Sequence, residues 1–182
     1  FNGGAVVVVK NNKAVSESGG GVYLQDAGSS LTATGQGTQL TVENNTAGLR
    51  GGGCFSHLGS AMLFDRGAVV VVKYNEAVSE GGGGLYLADV GSSLNVSGNG
   101  TQLTIENNTA ESRGGGLSSR RSATVLFNGG AVVVVKNNKA VSEVGGGVHL
   151  QNAGSSLTAT GQGTQLMIER NTAEGFGGGL SS

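Results

Sequence analysis

Proline and tryptophan are absent from the 182 residues, and cysteine occurs once. A chain with 36 glycines but no proline is neither collagen-like nor a proline-stiffened linker. The single Cys54 excludes an internal disulfide. A net charge of −1 supplies no overall field to gather nucleic acid or an anionic membrane surface. No apolar run approaches the roughly 20 residues needed to cross a bilayer, so no membrane insertion is expected of this segment. No signal peptide is visible at the start, and Phe1 opens in mid-pattern, as expected of a processed form or a piece of a longer chain. Aromatics make up only 4% of the residues, so a core must be built from Val and Leu.

What is present is repetition. The segment "FNGGAVVVVKNNKAVSE" begins at Phe1 and returns unchanged at Phe127, with "FDRGAVVVVKYNEAVSE" at Phe64 between them. The period is 63 residues, without insertion or deletion, as recent duplication would leave it. Each period divides again. Asn12, Asn45, Asn75, Asn108, Asn138 and Asn171 share one slot, spaced alternately by 33 and 30 residues. Two residues on, Ala14, Ala47, Ala77, Ala110, Ala140 and Ala173 share another.

Each half-repeat contains three short strand-like runs. The first follows the glycines, as in "VYL" at Val22 or "CFS" at Cys54. The second is "SLTATG" from Ser30 or "SAMLF" from Ser60, and the third "TQLTVE" from Thr38 or "AVVVVK" from Ala68. β-Branched residues, alternation and bounding Gly, Asn and Ser mark these as strands. No segment reads as a helix of ten or more residues. The pattern predicts an all-β, single-stranded parallel β-helix of about six coils of 30–33 residues with three strands each. It forms one continuous solenoid over residues 1–182, in repeats 1–63, 64–126 and the incomplete 127–182. Right-handed winding is the expectation from crossover chirality.

Stacked coils turn slots into columns. Val7, Leu40, Val70, Leu103, Val133 and Leu166 form an apolar column, as do Val9, Val42, Val72, Ile105, Val135 and Ile168; both are expected to face inward. The next slot reads Lys10, Glu43, Lys73, Glu106, Lys136, Glu169. Set outward at strand spacing, each charge is expected between two opposite ones, and a slip of one coil would put like charges together. The Asn column is expected to form a hydrogen-bonded ladder at a left-handed corner. The alanines beside it fit a tight place, and the glycine runs a sharp turn.

The outward column that includes Val6, Val8, Thr41, Val69, Val71, Thr104, Val132 and Val134 is less polar than a solvated face usually is. Three readings stand: a stiff strand face, lateral contact with another solenoid, or a flat ice-binding face. "TAT" at Thr32 and Thr158 favours the last, but "NVS" at Asn95 interrupts it. Candidate N-glycosylation sites are Asn44 and Asn107 in "NNT", Asn95 in "NVS" and Asn99 in "NGT".

Little in the chain points to catalysis, a metal or a cofactor. Cys54 shares its slot with Leu117 and Leu180 and reads as a small buried hydrophobe. His57 and His149 occupy unrelated slots, replaced elsewhere by Arg120 and by Tyr23 or Tyr86. "GQG" at Gly35 and Gly161 lacks the third glycine and the strand–helix setting of a dinucleotide loop. Asp26, Asp65 and Asp89 offer no close pair within one coil, and Glu43, Glu106 and Glu169 are interleaved with lysines.

The repeat resembles the β-helical passengers of chlamydial polymorphic outer-membrane autotransporters, which carry "GGA(I/L/V)" and "FxxN" tetrapeptides. "GGAV" stands at Gly3–Val6 and Gly129–Val132, and elsewhere the motif becomes "GGGV", "GGGC" or "GGGL". The second slot is "VKNN" at Val9, "VENN" at Val42 and "IENN" at Ile105, with Val or Ile in place of Phe. The resemblance implies an extracellular or cell-surface β-helix used for adhesion or surface structure.

Two functions are therefore expected from the sequence. One is a structural β-helix that self-associates end to end or laterally into a fibre, filament or surface layer. The other is an adhesin that binds a receptor or glycan through side loops. The loops "SHLGS" at Ser56 and "SSRRS" at Ser118 differ most between copies, and Arg120 with Arg121 makes a small basic spot. An enzyme acting on polysaccharide is a distant third.

Overall fold

Gly, Asn and Ser clusters end every apolar run early, so no strand exceeds five residues. The computed structural model describes residues 1–182. Its first coil comprises β1 (Val6–Lys10), β2 (Lys13–Ala14), β3 (Val22–Gln25) and β4 (Ser30–Thr34). The second repeats them as β5 (Gln39–Glu43), β6 (Thr46–Ala47), β7 (Cys54–His57) and β8 (Ala61–Asp65). Every strand pairs in parallel with its equivalents in the coils before and after, giving three six-stranded sheets and one five-stranded sheet. The chain is a β-solenoid of six coils without a helix. The three expected strands recur, and the corner adds a fourth of two residues, β2 and its equivalents, carrying the alanine slot.

Alternation along each strand places one face in the core. In β5 the burial runs exposed, buried, intermediate, buried, intermediate, with Leu40 and Val42 inside. The two apolar columns line one side of the interior, and Met62, Phe64, Leu94, Val96, Val125 and Phe127 close it from the opposite sheet. Burying each such side chain is worth roughly 1.5–3 kcal/mol.

The corner is tighter than its sequence shows. Ala47, Ala77, Ala110 and Ala140 have no exposed surface. At Gly20 a Cβ would lie 2.5 Å from the Thr46 carbonyl of the next coil, so any side chain would push two coils apart. The charge, Asn, Ala and glycine run is therefore one packing unit, repeated in each coil.

Candidate functional site

The Asn slot lies inside the corner. Asn75 Nδ2 donates to Asn108 Oδ1 and to the Val42 carbonyl, both at 3.0 Å. Its Oδ1 accepts from the backbone N and the Nδ2 of Asn45, also at 3.0 Å. Both donors and both lone pairs of the amide are thus used. The same bonds join Asn12 to Asn45, Asn108 to Asn138 and Asn138 to Asn171. Asn45, Asn75, Asn108 and Asn138, buried and fully satisfied, have no valence left for a ligand.

The sequence reading puts left-handed backbone on this asparagine. The structure gives it to the residue before: Asn11, Asn44, Tyr74, Asn107, Asn137 and Arg170 have φ between 53° and 58°. The chain must reverse its curl there so that the next side chain can turn inward.

The charge column also resolves differently from expectation. Lys73 Nζ lies 3.2 Å from Glu43 Oε2, and Lys136 Nζ 3.2 Å from Glu106 Oε2. Lys10 and Glu169 make no ion pair, and Lys73 does not bridge to Glu106, although the backbones are in register. One ammonium commits to one carboxylate, that of the preceding coil, so the column consists of discrete pairs.

A second row of ion pairs escaped the sequence reading. Arg50 binds Glu80 through Nε and Nη2 at 2.5 and 2.6 Å, and Arg113 Nε pairs with Glu143. Burial opposes the charge on Arg50, but the hydrogen bond to Glu80 and the nearby carboxylates outweigh it, and its pKa is raised. Every pair in both rows spans 30 residues and joins one 63-residue repeat to the next.

The outward valines of the first sheet grade from open to half-covered. Val6 is 68% exposed and Val8 50%, whereas Val69, Val71, Val132, Val134, Thr41 and Thr104 are intermediate, shielded by their neighbours on adjacent strands. Among the sequons, Asn44 and Asn99 are exposed, Asn107 is half-buried at a corner, and Asn95 lies mid-strand between Leu63 and Leu126 with Oδ1 buried and unpartnered.

The reactive groups are subdued. Cys54 is buried, which pushes its thiol up to about 12 and keeps it protonated. Burial lowers the pKa of His149, helped by the charge on Arg113. No cluster of three or more His, Cys, Asp or Glu could hold a metal.

The third sheet completes a slot of which the sequence showed only Tyr23, Tyr86 and His149. Its outward column reads Tyr23, Phe55, Tyr86, Ser118, His149, Ser181. Tyr23 and Phe55 stack with centroids 5.5 Å apart, and Phe55 and Tyr86 at 5.4 Å. His57 packs against this column, its Nε2 2.9 Å from the Tyr23 hydroxyl. Two cavities of about 230 and 200 Å³ run along it and share Tyr86 and Arg120. The segments expected as variable loops at Ser56 and Ser118 are mostly strand, Cys54–His57 and Leu117–Arg120, with Ser56, Ser118 and Ser119 buried, so only the turns that follow them, at Leu58 and Arg121, reach the surface. Of the basic spot, Arg121 lies 3.6 Å from Asp89, while Arg120 Nη1 donates to the Tyr86 hydroxyl at 3.2 Å.

No curated protein and no solved structure matches the chain. The family described as the right-handed β-helix region matches residues 1–173, the greater part of the six coils. The stacked parallel coils and this match together make the chain a member of the right-handed β-helix family.

Proposed function

We propose that the chain is a stiff structural rod of an extracellular or cell-surface β-helix that assembles into a fibre, filament or surface layer. The observation that carries this is the junction between repeats. Glu43–Lys73 with Arg50–Glu80, and Glu106–Lys136 with Arg113–Glu143, close both junctions in the same way over a continuous Asn ladder. Each added 63-residue unit would bring its own clasps, so such a rod lengthens without new design. The likeness to autotransporter passengers supports the surface location. The valine-rich outward face gives lateral self-association a route: β-branched side chains on a flat sheet pack readily against a second copy. Electron microscopy of native material at physiological salt tests the reading. Filaments with an axial repeat of about 9–10 Å, two strand spacings, are the expected result. Isolated rods with no side or end contacts would overturn it.

A second reading is favoured by the aromatic column and its cavities. In it the chain is an adhesin that takes a receptor or glycan beside the turns at Leu58 and Arg121, which follow the variable segments at Ser56 and Ser118. The family also includes polysaccharide-active enzymes, but a glycosidase needs two carboxylates about 5–10 Å apart across a cleft. Glu80 and Glu143, the two carboxylates in the larger cavity, are each tied to an arginine.

A further inference from the structure

The outward face of the first sheet is ruled in two kinds of row. In odd coils it reads Val, Val, Lys, as at Val69, Val71 and Lys73. In even coils it reads Gln, Thr, Glu, as at Gln102, Thr104 and Glu106, with Met167 in the threonine place of the last coil. Successive strands pair residue for residue over all six coils, so the rows lie straight across the face. Solubility does not call for valines in every second row. The charges inside the chain do not call for them either, since Lys73 and Lys136 already hold Glu43 and Glu106 of the preceding coils at 3.2 Å.

A second copy can meet this face about two kinds of two-fold axis. With the axis along the strands, the rods lie antiparallel and each column faces itself. Like rows then set Lys on Lys and Glu on Glu. Unlike rows set Lys on Glu, but those charges are already paired within each copy, and the valines fall on Gln and Thr. With the axis along the rods, the rods lie parallel and each row meets a row reversed. Like rows at one height then put Val71 on Val71 of the second copy, Thr104 on Thr104, and Val69 on the aliphatic stem of Lys73. Gln102 falls on Glu106, whose carboxylate accepts at both oxygens and so takes an amide besides Lys136. No like charges meet. A slip of one coil would set Val69 on Glu106 and strip water from the carboxylate without giving it a donor. Only the parallel, unslipped arrangement matches apolar rows with apolar and polar with polar.

We propose that the first sheet is a self-recognition face, on which two copies pair side by side, parallel and in register, about a two-fold axis along the rods. The proposal rests on the structural-rod reading and specifies its lateral contact. Five-residue strands span about 17 Å and six coils about 29 Å, which gives roughly 500 Å² per copy and about 1,000 Å² in all. That is the lower bound of a specific interface, so three repeats pair weakly, and each further 63-residue unit would add contact in the same register.

Sedimentation equilibrium measures the pairing, and spin labels measure its geometry. Single labels go on Gln36→Cys, Asn99→Cys and Gln162→Cys, exposed turn residues beside the face and 63 residues apart; Cys54 is buried and stays unlabelled. Reversible dimers are expected, with one label-to-label distance shared by all three proteins, because an axis along the rods gives every height the same separation. Val71→Lys should weaken the dimer by about tenfold or more, since it sets two unpaired ammonium groups against each other; Thr104→Lys serves if that variant does not fold. Ser93→Lys, on the outward face of the fourth sheet, should leave the dimer unchanged. A monomer at every concentration, a label distance that changes from repeat to repeat, or equal dimerisation of Val71→Lys and the native chain would each overturn the assignment. Filaments that still form with Val71→Lys remove this face and leave the rod reading standing. In-register dimers without filaments do the reverse.

Discussion

Asn75 Nδ2 donates to Asn108 Oδ1 at 3.0 Å, and both residues are 1% exposed. Each amide receives from the coil before and gives to the coil after. Removing one member therefore orphans groups on both sides. Asn75→Ala leaves the Asn45 amide without its acceptor and the Val42 carbonyl without its donor. Several buried unpaired groups at about 1–3 kcal/mol each give an expected loss of about 3–5 kcal/mol. Urea unfolding followed by circular dichroism measures it. A loss below about 1 kcal/mol would mean that water enters the corner and replaces the ladder.

The clasp between repeats is worth less, because it is partly wet. The Lys73 and Glu43 side chains are 30% and 22% exposed, so the pair contributes on the order of 0.5 kcal/mol after screening. Its sign matters more than its size. Glu43→Lys sets a positive charge between Lys10 and Lys73, its in-register neighbours. A loss of about 1 kcal/mol is expected at low salt, most of it recovered at 1 M NaCl, where the screening length falls to about 3 Å. Glu43→Gln should lose less and show little salt dependence. Thermal melts of the three proteins at two salt concentrations decide it. Equal losses for both variants at both salts would remove charge from the account.

Repetition made the solenoid readable. A residue that returns at every coil, as Asn12 and Asn45 do, marks a column even before its surroundings are known. The direction of its side chain was less legible, because left-handed backbone and an inward amide suit asparagine equally, and Asn11 and Asn12 stand side by side. The structure separates them: Asn11 takes the positive φ and Asn12 the ladder bond. The aromatic column stayed partly hidden for two reasons. Its members change from coil to coil, Tyr23 and Tyr86 alternating with Phe55 and Ser118. They also recur at steps of 32, 31 and 32 rather than the 33 and 30 of the Asn slot, because the glycine corner is one residue longer in alternate coils. The Arg50–Glu80 row, by contrast, stands in one slot, Glu17, Arg50, Glu80, Arg113 and Glu143 each following its ladder asparagine at the same distance, so its alternation of sign was as legible as that of the Lys/Glu column.

Cys54 sits 1% exposed among core side chains, stacked between Val22 and Leu85. Burial pushes its thiol up to about 12, so at pH 8 the native chain holds almost no thiolate. A thiol-specific chromogenic disulfide should react with less than about one part in a hundred of its rate in urea-unfolded chain. Only opening of the coil exposes the sulfur, so the native rate also reports local unfolding. A native rate close to the unfolded one would place the sulfur at the surface.

His149 offers a test through pH. Burial holds its pKa below the ordinary 6.5, with Arg113 and Arg120 opposing protonation and Glu143 favouring it; Ser181 bonds the ring nitrogen. The unfolded chain therefore takes up the proton first as pH falls. Whatever stability the neutral ring allows is fully present above about pH 6.5 and is lost as pH drops through the folded value, at no more than about 1.4 kcal/mol per pH unit for one proton. His149→Gln keeps a polar side chain but removes the titration. Its stability should fall less between pH 7.5 and pH 5 than that of the native chain, and the difference between the two curves should vanish above pH 7 apart from a constant offset. Urea midpoints at half-unit intervals give both curves. Parallel curves across the whole range would mean that the ring titrates alike in folded and unfolded chain, and so is not desolvated where the structure puts it.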